Sequence, residues 1–370
     1  MADSRATRIM STWIVGLMLG VPLLACSDLL GLDFSPDQLA DDAGAFGSQC
    51  APGGRGLNTC GPSKNESCCI SLEVEGGTFF RTYDESPQGD FTFVVPDGGP
   101  TGEADPATVS TLRLDKYDVT VGRFRQFVKA WNGAAGWAAD PNSGKHTHLN
   151  GGQGLVDIGA LADAGTGFET GWDPRDTPSV APTNANLACD SYATWTAEPG
   201  NNEDRPINCV RWEEAYAFCI WDGGFLPTEA EWEYAAAGGS QQRAFPWGET
   251  DPGTANQYAI YGCYYPPGSA GFTSCRNASN IAPVGTTAPH GAGRFGQLDL
   301  AGNMYQWTLD WFAPYVGCVD CAYLTPTDTR VIRGGSFYLG ERYLFCPYRN
   351  PYPVAVDRDH AIGFRCARAP

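Results

Sequence analysis

Fourteen cysteines and four histidines carry most of the chemistry that this 370-residue sequence can offer. Thiolates are nucleophiles and soft metal ligands, and imidazoles are bases and metal ligands, so their spacing is informative. Cys318 and Cys321 form a C-x-x-C, the spacing of dithiol redox centres, but they stand in a turn-like segment without a βαβ context. The pair reads as a short-loop disulfide. Cys189 with Cys209, and Cys263 with Cys275, flank loops of ordinary closure length, and spacing alone suggests these two bridges. Cys50, Cys60, Cys68 and Cys69 suggest a small stapled loop with its pairing open, although adjacent Cys68 and Cys69 are not expected to join each other. His146 and His148 offer two imidazoles, with only His290 and His360 elsewhere. Two ligands do not make a zinc site, so they are read as part of a solvated loop.

Cys26 has a different context. Arg5 and Arg8 precede an uncharged, largely apolar run from Ile9 to Ala25, which ends in Leu23-Leu24-Ala25-Cys26. A basic start, an apolar stretch and small residues before the cysteine describe an export signal over residues 1–25. Its end resembles a bacterial lipobox, which implies lipidation at Cys26 and attachment to a membrane of the cell envelope, facing the periplasm or the outside. An uncleaved anchor and a plain secreted chain are the alternatives, and about 17 apolar residues is the short limit for a bilayer span. Residues 26–49, rich in Asp, Gly, Ala and Ser, read as a flexible tether, residues 50–71 as the cysteine staple, and residues 72–370 as the main domain.

The elements that must hold these residues are sparse. Gly (46) and Pro (27) are abundant and charged residues make up 18%, which describes a loop-rich globular chain. A formal charge of −18 repels phosphate backbones and argues against nucleic-acid partners. Short strands are expected at Leu72–Val74, Thr78–Phe80 and Phe91–Val95, with a longer alternating one over Ala107–Leu114. Thr120 can cap a helix whose Val121, Phe124, Phe127, Val128 and Trp131 share a face. Trp212–Trp221 reads as a second helix. Thr228 and Glu231 form a capping box for a third, ended by Gly238-Gly239. Residues 132–206 show no sustained period, a length that compact domains tolerate when ions, disulfides or function hold the loops.

A series of motifs then resembles a known family. PINCVRWEEAYAFC (206–219) runs into IWDGGFLPTEAEWEY (220–234), followed by FPWG (245–248), DLAGNMYQW (299–307), RGGS (333–336) and GFRC (363–366). In this order they resemble the sulfatase-modifying-factor family, whose formylglycine-generating enzymes oxidise a substrate cysteine with oxygen and copper. The resemblance implies an α+β, C-type-lectin-like variant fold over residues 72–370. It also implies a disulfide between Cys219 and Cys366. The family's second bridge would need a cysteine near Ala236, so Cys346 lacks its expected partner.

In the family two cysteines after Arg-Gly-Gly-Ser hold the copper, because soft thiolates suit Cu(I). Counted forward from Ser336 those positions fall on Leu339 and Leu344; counted back from Arg349 they fall on Ser336 and Glu341. Neither count meets a thiol, so copper is not expected. Ser336, Arg349, Tyr305 and Cys346 are left as candidates for a pocket beside the old active site. The resemblance further implies structural calcium. One site would use Asp299, the carbonyls of Gly302 and Met304, and the side chain of Gln306, where the family usually has Glu. A second would use Asn256 and the carbonyl of Gln257. The expectation is a lipid-anchored binding or structural module with an unknown protein or glycan ligand. The alternative is an enzyme, either of the formylglycine-generating type or of another oxidative chemistry on the same scaffold.

Overall fold

The computed structural model describes residues 50, 53–83, 103–133, 136–160, 167–353 and 358–370. The export segment, Cys26, the tether and the strand expected at Phe91–Val95 lie outside them. Strands β1 (Ser71–Val74), β2 (Gly77–Thr82), β3 (Ala104–Val109) and β4 (Leu112–Asp115) precede helix α1 (Val121–Trp131). Then come β5 (Val156–Asp157), α2 (Asn184–Leu187), α3 (Trp212–Trp221) and α4 (Glu229–Ala236). The chain continues through β6 (Tyr305–Trp311), β7 (Cys318–Val319), β8 (Cys321–Ala322) and β9 (Thr329–Arg333). It ends with β10 (Arg349–Pro353), β11 (Ile362–Gly363) and β12 (Ala367–Arg368). No helix of the described residues is long and apolar enough to cross a membrane.

The strands form small sheets, ordered β10-β9-β6-β11, β1-β4-β12 and β2-β3-β7, with a separate β5-β8 pair. The alternating run from Ala107 to Leu114 is thus two strands in two sheets, not one. Asp320 causes the break: its carboxylate accepts from Ser110 N at 2.7 Å and Ser110 Oγ at 2.8 Å, diverting that backbone from a continuous ladder. The helices follow their local signals. Thr120 Oγ1 caps Arg123 N at 3.1 Å, and Thr228 and Glu231 cap each other at 3.0 and 2.8 Å.

The main core lies where α1 and α3 meet the four-stranded sheet. Phe124, Phe127, Phe218 and Phe364 pack there with Trp307 and Ile332. Phe124 and Phe218 stack at 5.7 Å, and Phe364 meets both edge-on. Disulfides join Cys219 to Cys366, Cys189 to Cys209, Cys263 to Cys275 and Cys318 to Cys321. In the staple Cys50 pairs with Cys69 and Cys60 with Cys68. The Cys219–Cys366 bridge closes a loop of 147 residues between α3 and the last strands, where restriction of the unfolded chain is greatest.

Candidate functional site

The segment after β9 contains the positions that would need thiols. Gly334 and Gly335 adopt φ of 97° and 71°, and a Cβ at either would meet a backbone oxygen (Leu300 O or Tyr343 O) at 2.7 Å. This tight turn buries Ser336 completely and leaves its hydroxyl without a hydrogen-bond partner among the described residues. Leu339 packs against the main core, and Leu344 is buried beside Phe245, Tyr261 and Phe345. Both leucines therefore fill apolar space. Glu341, the other alternative position, lies in the short 3-10 turn Glu341–Leu344.

Cys346 is the free thiol among the described residues, and it is buried in the same apolar cluster as Ala236. Burial, followed by the nearby Glu233 carboxylate, pushes its pKa well above the ordinary thiol value. It stays a protonated, inert thiol. Arg349 is fully engaged. It grips Glu229 at 2.9 and 2.7 Å, donates to Ala313 O at 2.8 Å, and lies against the Phe312 and Tyr315 rings. Tyr305 accepts from Asn350 Nδ2 at 3.2 Å. The four pocket candidates (Ser336, Arg349, Tyr305 and Cys346) each belong to separate packing or ion-pair arrangements, and none lines the cavity described below.

Beside Arg349 lies a buried charge cluster on α4. Arg333 meets Glu233 at 2.6 Å, and Tyr315 Oη donates toward Glu229 and Glu233 at 3.1 and 3.3 Å. Burial pushes Glu233 up to about 7, with the Glu229 charge adding to it and Arg333 opposing. In a loop-rich scaffold such networks lock segments that no ladder holds.

His146 departs from the solvated-loop reading. It is fully buried, with Nδ1 3.1 Å from both Glu169 oxygens and Nε2 3.3 Å from Glu231. Burial alone would lower its pKa, but the two carboxylates outweigh that and raise it to about 10. The imidazolium thereby links the α4 capping box to the long loop. His148 stacks on Phe225 at 5.6 Å. Two groupings of carboxylate with cysteine, Cys189-Asp190-Cys209 and Asp115-Asp222-Cys366, have metal-like spacing, but every sulfur in them is in a disulfide.

The two expected calcium sites differ. At the first, Gln306 Oε1 accepts from Trp232 Nε1 at 2.6 Å and from Arg365 Nε at 2.7 Å. That fixes the amide orientation, so Nε2 points the other way and donates to Asp299 O at 2.7 Å. Asp299 Oδ2 accepts from Gly285 N, and burial lifts its carboxyl to about 6. A cation there would face an N–H donor and a guanidinium-held oxygen, so Asp299, Gly302, Met304 and Gln306 do not fit calcium. The amide nitrogen of Gln306 does the bridging a metal would do. At the second, Asn256 is buried with φ of 58° and its Oδ1 lacks a partner among the described residues, while Nδ2 donates to Tyr264 O at 3.0 Å. An orphaned buried amide oxygen beside the exposed Gln257 does fit a hard cation.

A cavity of about 480 Å³ opens where α3, β6 and β9 meet the loop around residues 169–176. Its walls include Trp212, Tyr216, Leu309, Trp311 and Leu324, with Arg330 among them. The Arg330 guanidinium is clamped between two indoles, 3.5 Å from the Trp212 ring centre and 3.7 Å from that of Trp311. Its Nη1 donates to Leu309 O at 2.6 Å. Leu309 and Trp311 of β6 line the cavity, and β9 brings Arg330 opposite Trp311. Sequence reasoning missed this site because its aromatics read as core and its parts are far apart in the chain.

A loop-rich α+β domain with small sheets, a disulfide from α3 to the C-terminal strands and a glycine-turned loop after β9 defines a structural class. The model of the sulfatase-modifying factor enzyme 1-like domain matches residues 58–370, and the chain belongs to that family. It is 30% identical over 328 residues to a formylglycine-generating enzyme of Thermomonospora curvata, covering 81% of this chain and 93% of that one. It is 32% identical over 308 residues to a Streptomyces coelicolor formylglycine-generating enzyme, covering 76% and 87%. A mouse relative named inactive C-alpha-formylglycine-generating enzyme 2 matches at 33% over 133 residues, covering 36% and 37%. In fold it is similar to PvdO from Pseudomonas aeruginosa, with a TM-score of 0.50 and 20% identity over 86% of this chain and 97% of that one.

Proposed function

We propose that this chain is a non-catalytic binding module of the sulfatase-modifying-factor family, tethered to the cell envelope by a lipid on Cys26. One observation carries the loss of oxidase chemistry. The positions that would hold copper are Leu339 and Leu344 counted from Ser336, or Ser336 and Glu341 counted from Arg349, none of them a thiol; both leucines pack in apolar surroundings, and the nearby Cys346 is buried and protonated. Leucine has no lone pair for Cu(I), and one thiol cannot hold it in linear two-coordination. The likeness to a mammalian relative named inactive accords with this reading. The six disulfides and the export-type N terminus support an oxidising, extracytoplasmic location. On what the sequence reads as a lectin-like scaffold, a calcium ion held by Asn256 Oδ1 and the Gln257 carbonyl would fix the local loop and take no part in chemistry.

The test incubates the purified mature protein with a cysteine-bearing sulfatase peptide, oxygen and Cu(I). Mass spectrometry is expected to show the peptide unchanged. Accumulation of the aldehyde product would overturn the proposal.

A further inference from the structure

We infer that the cavity between α3, β6 and β9 binds a free amino acid with a large apolar or aromatic side chain, its carboxylate meeting Arg330 and its ammonium meeting Asp176. The inference rests on the binding-module reading and names the ligand class of that module.

The reasoning starts from charge. Arg330 is 7% exposed, and no carboxylate lies within ion-pairing distance of it among the described residues. Most other buried arginines of the described residues are gripped by acids (Arg123 by Asp115 and Asp222, Arg125 by Glu203, Arg365 by Asp118), while Arg81, held by the Asp105 and Val316 carbonyls and the Tyr315 ring, does not line the cavity. A guanidinium is costly to bury without a counter-charge, so an unpaired one at a cavity wall marks a place prepared for an anion. The indoles on its two faces leave its edge, which carries the N–H donors, as the available contact. One donor is taken by Leu309 O, and the planar edge suits a carboxylate.

The other polar groups of the wall are not equivalent. Glu169 is already held by His146, which it shares with Glu231, and Asp173 by Arg175 at 2.5 Å. Asp176 has no direct ion pair among the described residues; burial, then the Glu213 and Asp173 charges, raises its pKa, with Arg330 and Arg175 opposing. Asp176 and Arg330 line the same cavity and feel each other's charge, but no direct ion pair joins them, so each keeps room for a charged group. A zwitterion spanning the two satisfies both. The rest of the wall (Trp212, Tyr216, Leu309, Trp311, Leu324) is apolar or aromatic, and about 480 Å³ lies in the size range of small-ligand sites. The protein's net charge of −18 repels simple anions, so a zwitterion with no net charge is favoured over phosphate or sulfate.

Isothermal titration of the mature chain with L-tryptophan, L-tryptophan amide and N-acetyl-L-tryptophan tests this. Saturable binding of L-tryptophan is expected, with the amide and the N-acetyl compound each weaker by about tenfold or more. Arg330→Gln is expected to abolish binding. Asp176→Asn is expected to weaken L-tryptophan and leave the N-acetyl compound unchanged. Equal affinity for the acid and its amide in the unmodified chain would overturn the inference, as would absence of binding by all three, or unchanged binding by a folded Arg330→Gln variant. The acid–amide comparison needs no variant, so it holds even where Arg330→Gln fails to fold. Failure here leaves the peptide oxidation result intact, so the two readings fall separately.

Discussion

Replacing His146 by Gln removes the imidazolium that separates two buried carboxylates. His146 is fully buried, 3.1 Å from Glu169 and 3.3 Å from Glu231, and its pKa stands at about 10 against an ordinary value of 6.5. Glu231 is held low, because His146 beside it outweighs its burial. A histidine raised in the folded state contributes its full stabilisation below pH 6.5 and loses it as pH rises toward 10. A depressed glutamate contributes above its ordinary range and loses that contribution as pH falls through its folded value. The pair is therefore most stabilising between about pH 5 and 6.5. The histidine gap corresponds to roughly 5 kcal/mol by linkage, and breaking a buried ion pair typically costs about 3–5 kcal/mol. His146→Gln should thus lower the unfolding free energy by a few kcal/mol at pH 6. The difference should shrink by up to about 1.4 kcal/mol per pH unit above 6.5. Urea unfolding followed by tryptophan fluorescence, for both proteins from pH 5.5 to 10, measures it. A difference that stays flat across that range would refute the charged-imidazole reasoning. Should the variant not fold, the His146 ring resonance of the unmodified protein should keep its imidazolium position at pH 8, and a neutral shift there would refute it equally.

Three further outcomes follow from the same geometry. Cys346, buried with its pKa raised, should resist iodoacetamide in the folded protein and react stoichiometrically in denaturant; rapid native labelling by mass spectrometry would contradict its placement. Gln306→Glu replaces the N–H that faces Asp299 O with an oxygen, so it should destabilise by about 1–3 kcal/mol in EGTA. Millimolar calcium should restore thermal stability of that variant more than it affects the unmodified chain. Gly334→Ala forces a Cβ to within 2.7 Å of Leu300 O at φ 97°, and should cost about 1–3 kcal/mol or more in thermal unfolding.

The helices were legible because their signals are local. Thr120 and Thr228 stand at the caps the structure uses, and Phe124 and Phe127 bury the face their spacing marks. The strand over Ala107–Leu114 was misread because its interruption depends on Asp320, some two hundred residues away, which takes the Ser110 backbone. His146 looked solvated for the same reason: Glu169 and Glu231 come to it only through folding. The motif series identified the family, and showed that neither count of the copper positions (Leu339 and Leu344, or Ser336 and Glu341) meets a thiol, without any coordinates. It could not show that Gln306 turns its nitrogen toward Asp299, because Trp232 and Arg365 set that orientation. Nor could it show the cavity, whose Trp212, Trp311 and Arg330 are individually ordinary core residues and only jointly form a clamp.

The central claim is that the family's copper centre is missing from this chain, and a Cu(I) competition titration against bicinchoninate tests it most directly. The mature protein should leave the coloured copper–bicinchoninate complex undiminished, since neither Leu339 and Leu344 nor Ser336 and Glu341 offer a thiolate and the Cys346 thiol is enclosed. Withdrawal of one equivalent of copper per chain, with loss of that withdrawal in Cys346→Ser, would contradict the account.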